Sequence, residues 1–186
     1  MSLLNVNKID PSTGTGLELG SSGDTITIPS GATLTNSGTA SGFASPVFQV
    51  YLSSTQAISH DTATKVTLDG EVFDPSGVFA SNKFTVATAG YYVINAQIHF
   101  GCTNNNLEQF KLMIYVNGSK VRAVDWNDTT DGTMRRATIF TQQIFNLSAS
   151  DYVELYGLTN KEGGTDCKIT KSHEDSTYFG AYRILT

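Results

Sequence analysis

Residues 125–132 read Asp125-Trp126-Asn127-Asp128-Thr129-Thr130-Asp131-Gly132, a run in which the chain's only tryptophan is set among hydrogen-bonding side chains. The oxygens are of the kind calcium prefers. The spacing nevertheless departs from the EF-hand template: Thr130 stands where that loop needs glycine, and Arg136 where it needs the bidentate glutamate. Calcium is thus admitted by the chemistry but unsupported by a full motif, and no cofactor is expected. An indole can stack on a pyranose while neighbouring carboxylates and amides take its hydroxyls. Asp125, Trp126, Asn127, Asp128 and Asp131 are therefore the candidate ligand-binding set. The competing reading has Trp126 plugged into the core, anchoring a polar loop. Both readings stand at this point.

Other reactive residues are scattered. His60, His99 and His173 are isolated from one another, with no zinc-ligand spacing. The pair His60-Asp61 has no nucleophile elbow beside it. No catalytic residue is assigned and the chain is not expected to be an enzyme. The formal charge of −5, with Arg135-Arg136 as the only adjacent basic pair, speaks against a nucleic-acid partner. Cys102 and Cys167 make no metal motif and are too few for a disulfide scaffold. Free thiols are expected, with one intrachain disulfide as the alternative. The first seven residues lack the basic and apolar regions of a signal peptide, and no run approaches the roughly 20 apolar residues of a membrane span. The expectation is a chain made in a cytoplasm, without membrane insertion. The Asn117, Asn127 and Asn146 glycosylation patterns accordingly receive no weight.

The elements that must position these residues are strands. Charged residues are only 16% of the chain, below the roughly 25% of ordinary soluble domains. Thr, Ser, Asn and Gly fill the difference, and they favour strands and turns. No window repeats apolar residues at helical spacing. Strands are predicted near 47–53, 64–68, 71–74, 82–87, 90–100, 108–116, 119–125, 134–146, 151–159, 167–171 and 177–185. Asn117-Gly118 between two apolar runs is a type I′ hairpin signal. Short strands with frequent turns mean a sandwich or barrel, and about 140 residues suffice for one two-sheet core.

Residues 1–43 follow different rules. Leu17-Glu18-Leu19, Ile26-Thr27-Ile28 and Ala32-Thr33-Leu34 alternate in miniature, each followed by Gly, Ser, Pro or Asn turn chemistry. Strands this short cannot offset the roughly 1–2 kcal/mol of backbone entropy lost per residue. Either the segment is a linker, or several copies supply one another's core. The regular alternation favours a stem, with Leu17, Leu19, Ile26, Ile28 and Leu34 turned toward a common axis. The stretch from Gly20 to Leu34 is similar to stem segments repeated in fibre and other structural proteins of marine tailed phages.

From residue 46 onward the chain resembles the complement C1q/tumour-necrosis-factor family. Phe48-Gln49-Val50-Tyr51-Leu52-Ser53 is similar to that family's first strand. Phe84-Thr85-Val86 followed by Gly90-Tyr91-Tyr92-Val93 resembles its central strand pair, with Gly90 at the bend. Leu112 to Gly118 resembles the strand ending in an Asn-Gly turn, and Ile144 to Leu155 the stretch around Asp151, although Ser150 stands where glycine is usual. Tyr178-Phe179-Gly180 looks like the final strand. The resemblance implies an all-β, C1q/TNF-like jelly-roll sandwich that is homotrimeric. Residues 1–43 are the N-terminal β stem or attachment segment, and residues 44–186 the head. Tyr91, Tyr178 and Phe179 fall at core or trimer positions. The expected function is that of a phage virion structural protein, a trimeric fibre or appendage assembled in the host cytoplasm. Its partners would be further copies of itself, other virion proteins through the stem, and a host-surface glycan or protein at the head. Two alternatives are a capsid decoration or fibre-assembly protein binding only virion subunits, and a cell-encoded C1q-like lectin.

Overall fold

The computed structural model describes residues 9, 14–37, 46–103, 107–127, 134–161, 167–171 and 176–184. The chain divides into two compact units, residues 1–43 and 44–186. In the first, the turn chemistry acts where the sequence places it. Asp24 closes a turn by accepting from the Ser21 amide at 2.7 Å, and the Ala32 amide donates to Pro29 O at 3.0 Å. Residues 14–37 contain no strand. Leu17, Leu19, Ile26, Ile28 and Leu34 are all exposed, Leu34 at 73%. Alternating runs of two or three residues are too short to hold a ladder, and the predicted short strands do not form among these described residues.

The described residues of the second unit form thirteen strands. They are β1 (Val47–Tyr51), β2 (Gln56–Ala57), β3 (Thr64–Lys65), β4 (Gly70–Phe73), β5 (Phe79–Ala80), β6 (Lys83–Thr85), β7 (Gly90–Gly101), β8 (Leu107–Val116), β9 (Ser119–Asn127), β10 (Arg136–Leu147), β11 (Tyr152–Lys161), β12 (Lys168–Ile169) and β13 (Tyr178–Ile184). They form two antiparallel sheets, and no helix occurs among the described residues. In the larger sheet β10 runs along all of β7 on one side. On the other side β13 takes Tyr91–Gln97 and β12 takes Phe100–Gly101. Next to β13 come β1 and then β4, while β2 pairs β12. The smaller sheet runs β5-β6-β11-β8-β9, with β3 also on β11.

Period-two alternation builds the core between the sheets. Along β7, Tyr92, Ile94, Ala96, Ile98 and Phe100 are fully buried, while Tyr91, Asn95, Gln97 and His99 take the other face. Phe110, Leu112 and Ile114 of β8 meet them from the opposite sheet. Phe48 packs its ring 4.9 Å from Phe84 and 5.3 Å from Phe179. Each such side chain contributes roughly 1.5–3 kcal/mol by leaving water. Phe179 and Tyr92 are thus core residues, whereas Tyr91 and Tyr182 are exposed on the outer face of the larger sheet. The two halves of the 84–93 signature lie in opposite sheets: β6 belongs to the smaller sheet, β7 to the larger, and they are not partners. Gly90 begins β7 at φ 150°, a conformation that favours glycine.

Asn117 and Gly118 form the predicted turn at φ 51° and 75°. Asn117 also ties this hairpin to the next turn, donating from Nδ2 to Asp151 at 2.8 Å and accepting from the Tyr152 amide at 3.0 Å. Asn117 and the Ser148 amide hold the Asp151 carboxyl below its ordinary pKa. The expectation of free thiols is overturned, because Cys102 and Cys167 form a disulfide. Antiparallel pairing of Gly101 with Lys168 places the residue after the one directly across from the residue before the other.

Candidate functional site

The predicted binding loop is in part a strand. The β8–β9 ladder continues to the pair Gln109–Asn127, so Asp125, Trp126 and Asn127 alternate across the sheet instead of converging. Trp126 sits opposite Phe110 and stacks on it at 5.3 Å and 26°. Phe110 in turn lies 5.6 Å from Phe100, so three rings lead from the core to the surface. Since β9 is the outermost strand of its sheet, Trp126 remains 40% exposed. The two readings of Trp126 are each met halfway, with one ring face anchored on the core and part of the side chain open to solvent. Asp125 and Asn127 take the opposite face, where the Asp125 carboxylate pairs with Lys111 at 3.1 Å. The sugar-binding constellation drawn from the sequence is therefore not assembled by these three residues. Asp128 and Asp131 lie outside the described residues. Among the described residues no group of three His, Cys, Asp or Glu is placed to hold a metal.

A one-residue irregularity decides this arrangement. Counting outward from the Asn117-Gly118 turn, Tyr115 pairs with Lys120, but Ile114 pairs with Arg122, leaving Val121 as a bulge. Without that bulge Asp125 would face Phe110, and Trp126 would point outward. Of the histidines, His60 bridges Thr159 of β11, and His99 lies on the larger sheet with Nδ1 2.7 Å from Thr138 Oγ1. His173 is outside the described residues.

The outer face of the larger sheet is a second candidate surface, which sequence inspection missed. Cross-strand pairing sorts it into rows. Ile144, Val93, Tyr182 and Val47 make one row across four strands, and Phe140, Gln97, Tyr178 and Tyr51 make another. Between them run Gln142, Asn95, Gly180 and Gln49, with Gln142 donating to Asn95 at 2.7 Å. Phe140 is 50% exposed and Ile144 62% exposed. A cavity of about 630 Å³ opens between Val93, Gln142, Ile144 and Tyr182. Tyr178, half-buried here, has its hydroxyl pKa raised by that burial. Exposed apolar side chains gathered around a central pair of amides make this face a candidate interaction surface.

No known family model matches the chain. Among solved structures, that of Eiger TNF from S. frugiperda superposes with a TM-score of 0.56 at 11% identity. The match covers 76% of this chain and 93% of that one. The head is a TNF-like jelly roll. By sequence, the chain is 26% identical over 110 residues to the phage-like element PBSX protein XkdV of Bacillus subtilis (strain 168). The match takes in 56% of this chain and only 16% of that much longer relative.

Proposed function

We propose that this chain is a structural protein of a phage particle, a homotrimeric appendage whose jelly-roll head attaches to a host-surface glycan or protein. In this reading the N-terminal unit joins it to other virion proteins, and the head works by binding without catalysis. The observation that carries the proposal is the outer face of the larger sheet, where Phe140, Ile144 and Tyr182 stand exposed in a single copy. Burial against further copies removes that cost, and three equivalent heads multiply weak contacts into avidity. The likeness to a phage-like element protein supports the setting.

The position of Trp126 supports adhesion. Val47, which begins β1, and Ile184, which ends β13, both lie toward the Gly90 end of β7. Eleven residue steps along that strand, about 36 Å, separate this end from Gly101. Trp126 lies at the Gly101 end, because its partner Phe110 is three residues from Leu107, which bridges Met134 next to Arg135. The half-open indole thus lies at the end of the sandwich opposite Val47 and Ile184. The test is adsorption of the purified full chain to host cells, read alongside antibody labelling of intact particles. Saturable cell binding with label on tail or fibre supports the reading. Capsid labelling with no cell binding replaces it with decoration.

A further inference from the structure

Asn117-Gly118 is the chain's only Asn-Gly pair, the dipeptide in which an asparagine side chain is most readily attacked by the backbone nitrogen that follows it. Glycine puts no Cβ in the way, so the Gly118 nitrogen can reach Asn117 Cγ once the two are brought together. In that step a bond forms from Gly118 N to Asn117 Cγ, the Cγ–Nδ2 bond breaks, and ammonia leaves with the amide proton. Water then opens the five-membered imide at either carbonyl. The product is aspartate or isoaspartate at position 117, and water is the only co-reactant.

The head holds this pair away from reaction. An intramolecular step needs its reacting atoms nearly in contact and aligned. In a type I′ turn ψ at the first position is about +30°. That value sets Asn117 Cβ and the Gly118 nitrogen nearly anti across the Cα–C bond, whereas the imide needs them nearly eclipsed. The side chain is fixed as well. Its Nδ2 donates to Asp151 Oδ1 at 2.8 Å and its Oδ1 accepts from the Tyr152 amide at 3.0 Å, while the Asn117 amide donates to Tyr152 O at 3.0 Å. Asp151 is held in turn, since its Oδ2 accepts from the Ser148 amide at 2.7 Å and its amide donates to Ser148 O at 3.1 Å. Ring closure must therefore break the Asn117 side-chain bonds and open the turn that pairs Val116 with Ser119. The product cannot close the corner again. A carboxylate at position 117 has no proton to give Asp151, and two carboxylates in contact repel. Isoaspartate also lengthens the backbone inside a turn that has room for two residues.

We propose that Asn117 is a site of spontaneous imide formation and that Asp151 guards it, so that the amide survives in the closed head and is lost irreversibly when this corner opens. The test is peptide mass spectrometry of the full chain during incubation at neutral pH, in buffer and in denaturant, with enzymatic methylation of isoaspartate as a second readout. Wild type should convert at Asn117 at least about tenfold faster in denaturant than in buffer. Folded Asp151→Ala should convert several-fold faster than wild type in buffer. A swap keeps the pairing testable where Asp151→Ala does not fold. Asn117→Asp alone should lower the melting temperature, and adding Asp151→Asn, which sets a donor opposite the new acceptor, should recover part of that loss. Equal conversion of wild type in buffer and in denaturant would overturn the guard. So would a folded Asp151→Ala that converts no faster than wild type, or a swap that recovers nothing. Unfolded wild type that keeps its Asn117 amide would overturn the site itself.

Discussion

Replacing both Cys102 and Cys167 with alanine is the perturbation whose cost the fold sets most clearly. The cross-link spans 65 residues of sequence, from the end of β7 to the start of β12, and so encloses β8 to β11. Closing a loop of that size removes chain entropy worth about 4 kcal/mol from the unfolded state, a large share of a stability of roughly 5–15 kcal/mol. Both cysteines are buried, but alanine in their place sacrifices only small side chains, so the cross-link dominates. For a domain of this size about 4 kcal/mol corresponds to a fall in melting temperature of roughly 10 °C. The assay is thermal unfolding of wild type and double variant, each with and without reductant. Wild type should lose stability on reduction in denaturant and the double variant should be indifferent to reductant. Two titratable thiols in unreduced, unfolded wild type would refute the reasoning. So would a double variant melting within about 2 °C of wild type.

Gly90→Val should cost about 2–3 kcal/mol, because a branched side chain must adopt φ near 150° with its Cβ 2.7 Å from Arg183 Nε. Chemical denaturation reads it, and an unchanged midpoint would mean position 90 tolerates any residue. Ser150 holds φ 74° without being glycine, so Ser150→Gly should gain about 0.5 kcal/mol, seen as a rise of a degree or two in melting temperature. A fall would show that the Ser150 side chain contributes more than the strain it carries. Trp126→Ala should leave the head folded, at a cost of about 1–2 kcal/mol for the lost stack on Phe110, while reducing attachment to host cells. Loss of folding would mark Trp126 as a core anchor, and undiminished attachment would move the adhesive site elsewhere.

The sandwich was legible in the sequence wherever alternation and turn chemistry agreed. The run from Ile94 to Phe100 alternates strictly between buried and half-buried residues, and Asn117-Gly118 places its turn to the residue. The two-residue strands β2 and β5 were not legible, because Gln56–Ala57 and Phe79–Ala80 are too short to show a period. What escaped at the candidate sites depends on register. The bulge at Val121 has no residue signature, yet it turns Trp126 toward Phe110 and parts it from Asp125. Likewise Asn117 and Asp151 are far apart in sequence and meet only because β8 pairs with β11. The disulfide was hidden for the same reason. Leu17, Leu19, Ile26, Ile28 and Leu34 are exposed, and alternation on runs this short does not make strands among residues 14–37.

Assembly through the outer face of the larger sheet is the claim on which the account turns, and sedimentation of the full chain at micromolar concentration tests it most directly. The account predicts a species about three times the 20.0 kDa of one chain. Ile144→Glu, which places a charge in the apolar row with Val93, Tyr182 and Val47, should dissociate that species into folded single heads. A wild-type protein that sediments as a single 20.0 kDa chain at that concentration would contradict it.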